Sequence, residues 1–576
     1  MRSLLEKPIY EPPKHQNYAR PTSSIDITDA FSFYANPYPG SSQEVVLIKP
    51  PILFSKNAYS TPFTMPLGLA YLAAVLDKAN YPARIIDCPG FDMNNIRLSP
   101  NGRFKIQGID NQKSIAMIGN RADIIGISNM FSQEWPFVRD YIKKIRQACP
   151  KAVIVIGGEH PTAMPEYSLR DSPEADYVVM GEGELAFLEL VYKLRCGKSV
   201  HDVSGIAYLK DGKLVKNGLA PRMTNIKDMP WPKWDLIDIE TYFQPFFSVG
   251  IGHGRNMAML ATRGCPYQCS FCSNPRMWTT RYTMRPVKDV VDEIEYNIKR
   301  YSANSIDFFD LTAIIKKEWI LDFIKELTDR KIHITWQLPT GTRSEVLDEE
   351  VLQGLSKTGC EFVVFAPESG SKRILEKVKK RVNLKNLEKS IRTALRYGCV
   401  VKANFIIGFP FERRRDMWAT LLFIWKLALL KADDANICPF TPYPGSELFD
   451  ELYAENALGP INDGYFENLM TFFDVTRAKT FCRHVPAWEI ALYRIMGLST
   501  FYVLSYLRVP SRLVRLFSYL IRREKFQPRS LFEQRIYDVL GRRTKEKMKD
   551  LTCQPCFAID LFSKIVQKES EKTGGR

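Results

Sequence analysis

The sequence predicts two successive α/β units, a doubly wound parallel sheet and then a partial (β/α)6 barrel, with a helical region behind them. Two series of short apolar runs carry that prediction, one between residues 44 and 200 and the other between 257 and 440. In both, the runs alternate with stretches of helical apolar spacing. A stretch rich in proline and tryptophan, MPWPKWDLID (Met229–Asp238), separates the two series. Strands that alternate with helices pair in parallel, because each helix returns the chain to the end where the last strand began.

Residues 1–42 hold Pro, Tyr and Ser without periodicity and read as an extended arm. EVVLIK (44–49) is a buried-strand pattern. PLGLAYLAAVLDKANYPARIID gives a helix over Gly68–Asn80 and a strand over Ala83–Asp87. ADIIGISNM (Ala122–Met130) is a strand and PFVRDYIKKIRQACP an amphipathic helix. KAVIVIGGEH (Lys151–His160) and DYVVMGEGE (Asp176–Glu184) are strands ending in glycine, the second leading into the helix LAFLELVYKL. Residues 43–200 therefore form the first domain. GIAYLKDGKLVKNG (Gly205–Gly218) reads as a hairpin inside a connecting segment, 201–245.

The second domain, 246–455, starts with strand MAMLAT (Met257–Thr262). Strands follow at Ser305–Asp310, His333–Leu338, Glu361–Ala366, Val400–Gly408 and Asp434–Phe440, with helices between them. Six βα-type repeats suggest a partial barrel, whose chemistry gathers at the carboxyl ends of its strands. Residues 456–576 are helical and increasingly basic, through Arg508, Arg512, Arg515, Arg522, Arg523, Lys525 and Arg529.

Hydrophobic residues make up 45% of the 576 and charged residues 25%, which excludes a disordered or fibrous chain. The net charge of +16 attracts anionic partners without choosing among nucleic acid, lipid and small molecules. The N-terminus has no apolar h-region, so no signal peptide is expected. Ile495–Leu507, bounded by Arg494 and Arg508, falls short of the ~18 apolar residues of a spanning helix. Most of the twelve cysteines stand singly, as in a reducing cytoplasm.

The exception is TRGCPYQCSFCSNP (Thr262–Pro275), which sets Cys265, Cys269 and Cys272 in one loop. Thiolates suit zinc or an iron–sulfur cluster. Zinc normally asks for a second knuckle or spaced histidines, and neither follows. Three ligands fit an open site whose remaining position takes a substrate.

This C-x3-C-x2-C loop, with Phe271 before its last cysteine, resembles the signature of the radical S-adenosylmethionine enzymes. The resemblance implies a [4Fe-4S] cluster on Cys265, Cys269 and Cys272, with S-adenosylmethionine on the fourth iron. It extends to Asp310 at a strand end, to APESGS with Glu368 and Ser369, to NFIIGFP with Gly408, and to PYPGSELFD. It implies that Phe271, Asp310, Glu368, Ser369 and Gly408 attend the cluster and S-adenosylmethionine. Residues 44–200 resemble the cobalamin-binding domain fused ahead of such barrels. The carrying residues there are Pro66, Gly68 and Tyr71, Ser128, Gly157, Gly158, Glu159 and His160, and Gly181, Glu182, Gly183 and Glu184. All but Tyr71 are expected at the cobalamin. Asp-x-His-x-x-Gly, the motif that ligates cobalt from below, is absent from the sequence. His160 is more simply read as hydrogen-bonded within its loop.

The resemblance implies a doubly wound (Rossmann-like) domain, a barrel, and cobalamin-dependent radical chemistry. Its implied outcome is methylation of an unactivated carbon on a small-molecule or lipid substrate. The same cofactors also serve oxidative cyclisation or rearrangement, in tetrapyrrole or natural-product chemistry. A cobalamin or iron–sulfur sensor that contacts nucleic acid is the alternative from another class, although no RNA-binding module accompanies the basic charge. A one-electron reductant such as flavodoxin or ferredoxin is an implied partner. A cytoplasmic location is expected, with the basic C-terminal helices offering a membrane-surface contact. Cys553 and Cys556 form a lone C-x-x-C, read as ordinary thiols. Trp135 and Phe131 read equally as cavity lining or helix packing.

Overall fold

A computed structural model describes residues 27–56, 63–223, 225–243, 250–470 and 479–522, with Ser530, Phe532, Glu533 and Ile536 beyond them. Cys553, Cys556, Arg523, Lys525 and Arg529 lie outside the described residues.

The first unit contains β1 Glu44–Lys49, β2 Ile52–Ser55, β3 Ala83–Asp87, β4 Ile96–Leu98 and β5 Phe104–Gln107. It continues with β6 Ala122–Ser128, β7 Val153–Gly157, β8 Tyr177–Val179, β9 Ile206–Lys210 and β10 Lys213–Lys216. The main sheet runs β10-β9-β8-β7-β6-β1-β3. The five strands from β3 to β8 are parallel. Val45–Ile48 are wholly buried, as expected for a strand covered on both faces by helices. The chain leaves β1 for β3 on one side and returns to β6 on the other. The crevice between the ends of β1 and β6 is therefore the switch point where such sheets bind ligands.

Three features differ from the sequence reading. The hairpin β9–β10 extends the first sheet, because β9 pairs antiparallel with β8. A small sheet, β2-β5-β4, was not expected; its strands are only three or four residues long, too short for a visible period. The presumed arm is helical over Ile27–Phe33, and Ile27, Ala30, Phe31 and Tyr34 are buried at helical spacing.

The second unit contains β11 Asn256–Met259, β12 Thr262–Arg263, β13 Thr283–Met284, β14 Ser305–Phe308, β15 Thr335–Thr342, β16 Cys360–Glu368, β17 Val400–Ile407 and β18 Asp434–Pro439. Six of them form one parallel sheet in chain order, β11-β14-β15-β16-β17-β18, which is the predicted partial barrel. β17 alternates cleanly. Val401, Ala403, Phe405 and Ile407 are buried outward, and Phe405 meets Phe423 of helix Arg414–Leu429. Lys402, Asn404 and Ile406 are half-buried and face the lumen. Ile251, Phe362, Val364 and Val400 cluster together, and Gln337 bonds to Ile251 through both its N–H and its carbonyl. That packing plugs the amino-terminal end of the lumen and leaves the carboxyl end as its mouth.

Helix Ala487–Arg508 lies against β18 and helix Arg414–Leu429. By length and composition it could cross a membrane, which the uninterrupted apolar run did not show. Its inner face, however, is part of the fold. Ile490, Tyr493, Gly497 and Phe501 are buried there, and the buried Arg494 donates to the Ile437 carbonyl at 3.0 Å.

Candidate active site

β12 and β13 pair as a short antiparallel ladder, and the three cysteines lie in the loop between them. Gly264 opens that loop. Its φ is +85°, and a Cβ there would sit 2.1 Å from the Arg281 carbonyl oxygen, so no side chain fits. Cys265, Cys269 and Cys272 are free, half-buried thiols. The Cys272 N–H donates to the Cys269 carbonyl at 3.0 Å. On either side of Ser270 the loop is tied to the barrel: the Ser270 N–H donates to the Val378 carbonyl, and the Leu448 N–H to the Ser270 carbonyl.

Burial raises all three thiols, Cys272 to about 12. At Cys265 and Cys269 the charges of Lys380 and Arg343 oppose that rise and favour thiolate. Among the described residues, no three His, Cys, Asp or Glu side chains converge on a single-ion site. Three thiols spread around one loop suit the corners of a cluster better than one zinc ion.

Asp310 is fully buried just past β14. Its carboxylate accepts the Ala261 N–H at 3.1 Å, the Thr262 N–H, and the Thr262 hydroxyl at 2.5 Å. Burial lifts its pKa to about 6 against the pull of those bonds. Asp310 thus fastens the strand that feeds the cysteine loop.

Glu368 ends β16 with φ +64°, a conformation that costs a non-glycine residue ~1 kcal/mol or more. It pairs with Lys380 at 2.9 Å beneath the cysteine loop. Burial alone would lower Lys380, yet Glu368 and Cys269 together hold it above the usual lysine range. Arg343, just past β15, stacks 3.9 Å from the Tyr267 ring and pairs with Glu345.

Ser369 and Gly408 have partners within the fold. The Ser369 hydroxyl is wholly buried and lies 3.0 Å from the Thr420 hydroxyl, away from the lumen. Gly408 is approached by Ile490 of the C-terminal helix, and its N–H donates to Glu412 at 2.6 Å. Phe271 packs on Phe409, centroids 5.9 Å apart. The sequence did not single out Arg343, Lys380, Lys402 or Asn436, while Asn404 opens the NFIIGFP element. Asn404 and Asn436 are in register on β17 and β18, both half-buried. Polar residues at every second position of an otherwise apolar strand were the available signal.

The carboxyl edge of the first sheet closes directly on this loop. Ser273, next to Cys272, donates its hydroxyl to Glu159, which burial raises to about 7. Helix Glu159–Ala163 packs on helix Asn274–Trp278, and Gly181 rests against the Met277 carbonyl. Gly158 has φ +121°, and a Cβ would come 2.4 Å from the Asn129 carbonyl oxygen. Its close approach is thus to β6's own end. Ser128 is half-buried at that end. Pro66 and Gly68 start the helix that follows β1, and a Cβ on Gly68 would meet nothing. Gly183 opens helix Gly183–Arg195 against Leu72.

Glu182 and Glu184 are held in a buried ion-pair cluster. Glu182 pairs with Arg222 at 3.0 Å and Arg263 at 3.4 Å, Glu184 with Arg263 at 2.7 Å, and all four residues are buried. Arg263 also lies over the Tyr71 ring. This cluster joins the first sheet to the strand that carries Cys265. A sequence cannot show that acids after β8 meet arginines some 40 and 80 residues later.

His160 is wholly buried. Its Nδ1 lies 3.0 Å from the Ser132 hydroxyl, and its ring packs between Trp135 and Phe466. The Ser132 N–H donates to the Tyr443 hydroxyl of the second unit. Trp135 is likewise buried, with its indole N–H on Asp171, while Phe131 is exposed. Burial pushes His160 down to about 3. Between about pH 6.5 and 3 the unfolded histidine takes a proton that the folded one refuses, so stability is lost as the pH is lowered. Relative to His160→Gln, the wild type should lose ~1.4 kcal/mol per pH unit across that window, read by urea midpoints at each pH.

The architecture and the loop define a class: an α/β enzyme that carries a three-cysteine cluster site at a barrel mouth capped by a doubly wound domain. Comparison with known proteins agrees. Residues 58–191 match the B12 binding domain and residues 259–424 the radical SAM superfamily. An uncharacterised methyltransferase of Pyrococcus horikoshii is 30% identical over 423 residues, 73% of this chain and 85% of the relative. The cytidylyl-2-hydroxyethylphosphonate methyltransferase of Streptomyces wedmorensis is 28% identical over 460 residues, 73% and 83% of the two chains. The radical S-adenosylmethionine methyltransferase TsrM of Kitasatospora setae, solved with cobalamin and a [4Fe-4S] cluster, shares the fold. Its TM-score is 0.60 at 15% identity over 80% of this chain and 89% of that one. The chain belongs to the cobalamin-binding radical S-adenosylmethionine enzyme family. Its cofactors are cobalamin, a [4Fe-4S] cluster and S-adenosylmethionine.

Proposed function

We propose that this enzyme methylates an unactivated carbon of a small-molecule or lipid substrate held between the barrel mouth and the first sheet. The observation that carries the reading is the packing of the Gly158–Ala163 turn on the cysteine loop, through Glu159 and Ser273. This packing would bring the cluster's loop and the cobalamin crevice against one another. Both relatives named above are methyltransferases by description.

When bound, the cluster and S-adenosylmethionine supply hydrogen abstraction, and cobalamin supplies the methyl group. The chain's own residues do the positioning. Cys265, Cys269 and Cys272 would hold the cluster, and Lys380 and Arg343 offset its thiolate charge. Lys402, Asn404 and Asn436 would orient S-adenosylmethionine in the lumen, with Glu368 and Lys380 above them. Ser128, Gly157 and the Pro66–Gly68 turn would flank cobalamin at the switch-point crevice. The plug at the amino-terminal end of the lumen and the buried His160–Ser132–Tyr443 seam would limit water's access to the cofactors.

Anaerobic turnover with S-adenosylmethionine carrying a labelled methyl group tests the reading, once the substrate has been found by comparing metabolites of wild-type and deletion cells. Label should appear in the product. 5′-Deoxyadenosine without label in the product would replace methylation with cyclisation or another oxidation.

A peripheral membrane location is part of the proposal. Trp488, Leu492, Ile495, Val503 and Leu507 are exposed along the outer face of helix Ala487–Arg508. Trp418, Leu422 and Leu429 extend that surface on the neighbouring helix, where Trp418 meets Tyr493. Arg508 is exposed at its C-terminal flank, whereas Arg515 on the next helix pairs with Glu533 at 3.0 Å; an apolar face with a basic end is the pattern of a helix lying in a lipid interface. The wild type should float with phosphatidylglycerol vesicles, and Trp488→Glu/Leu492→Glu should reduce the bound fraction ~10-fold. Equal flotation of both would remove this surface from the proposal.

A further inference from the structure

Beside the cysteine loop opens a cleft of about 1140 Å³. Tyr267 and Gln268, which lie between Cys265 and Cys269, form one wall. Lys379, Arg381 and Lys385 stand on the other, over Leu375. The basic wall is the connection between helices Lys372–Lys377 and Leu384–Arg396 together with the first turn of the second helix, which carries Lys385. It is fastened to the cysteine loop by the Val378 carbonyl, which holds the Ser270 N–H.

The charge balance of the cleft is one-sided. Glu376 is its single acidic lining residue, and it lies 3.7 Å from Lys372. Lys379 pairs with Glu447 at its rim, while Arg381 and Lys385 are exposed. Pro266 and Gln268 are exposed too, so the loop that bears the thiols meets solvent at this cleft.

We propose that this cleft is the docking surface for a small acidic one-electron carrier protein that reduces the cluster. The inference rests on the cluster reading above. Charge complementarity selects the occupant. A positive cleft steers an acidic partner and raises its encounter rate, and transient redox partners need only a small contact area. The wall formed by Tyr267 and Gln268 places that partner against the cluster's own ligand loop. The step moves one electron: the carrier is oxidised by one, the cluster is reduced by one, and no bond is made or broken.

The test uses the reconstituted full chain under anaerobic conditions, with reduced flavodoxin as the carrier and the reduced methyl viologen cation as a small donor. Cluster bleaching is followed by stopped flow. Arg381→Glu/Lys385→Glu should be reduced by flavodoxin at least ~10-fold more slowly at low ionic strength, and the difference should shrink as salt rises. Reduction by viologen should not slow, and neither should 5′-deoxyadenosine formation driven by viologen. Equal flavodoxin rates for wild type and variant would overturn the docking site. So would an equal slowing with viologen, or weaker S-adenosylmethionine binding in the variant, because both would place these charges at the cofactor. Absence of any bleachable cluster in the wild type would overturn the cluster reading itself, and the docking site with it.

Discussion

Cys269→Ala is expected to abolish the visible absorbance of the reconstituted cluster and to reduce cleavage of S-adenosylmethionine to background. The other two thiols cannot compensate, because Cys265 and Cys272 sit at either end of a loop whose middle ligand is gone, and among the described residues no fourth cysteine is at hand. Cys360, Cys399, Cys438 and Cys482 are buried elsewhere in the fold. The Cys272 N–H bond is to the backbone carbonyl of residue 269, which alanine keeps, so the loop should retain its shape. Far-ultraviolet circular dichroism and the urea midpoint of the cluster-free protein should therefore match wild type. Iron counting, absorbance and 5′-deoxyadenosine yield are the readouts. A variant that still carried a full cluster and cleaved S-adenosylmethionine would remove these cysteines from the site.

Arg263→Met is expected to cost about 3–5 kcal/mol, because it strips a buried cation from Glu182 and Glu184 and leaves their carboxylates in the interior. Arg222 can answer Glu182 at 3.0 Å, but Glu184 loses its 2.7 Å partner. The loss should lower the urea midpoint without changing the slope. A second effect should follow from position. Arg263 ends the short strand β12 and precedes Gly264 and Cys265, so loosening it frees the entrance to the cysteine loop. Cluster retention during gel filtration should fall as well. Arg263→Met combined with Glu184→Gln should regain part of the stability, since the stranded charge is then removed, but not the tie between the two units. If the single variant unfolded like wild type, the network would be no more than a solvated contact.

Both units were legible because their signals are local. Parallel strands buried on two faces leave uninterrupted apolar runs such as VVLI and VIVI, and the returning helices keep a 3.6-residue spacing. The thiol ligands were legible because one short loop supplies all three. Short strands were not: β2, β4 and β5 have too few residues to show a period, and β12 and β13 have two each. The helix at Ile27–Phe33 was hidden by an unpatterned neighbourhood, and only its packing in the core reveals it.

For the site the division is sharper. A motif gives residue types at fixed spacing, and it carries no information on which way a side chain turns. Asp310, Ser369 and Gly408 stand where the motif puts them, and within the fold the Asp310 carboxylate, the Ser369 hydroxyl and the Gly408 N–H meet Thr262, Thr420 and Glu412. Glu182 and Glu184 follow a glycine strand end as expected, and arginines distant in sequence claim them. Those partners are set by long-range packing, as are the charges of Arg343 and Lys380 at the thiols and the cleft beside them. The sequence by itself determined the class of chemistry, because three thiols in one loop are a local fact. Only the tertiary structure decided which neighbours serve that chemistry, because charge and hydrogen-bond partners are chosen across the fold and not along the chain.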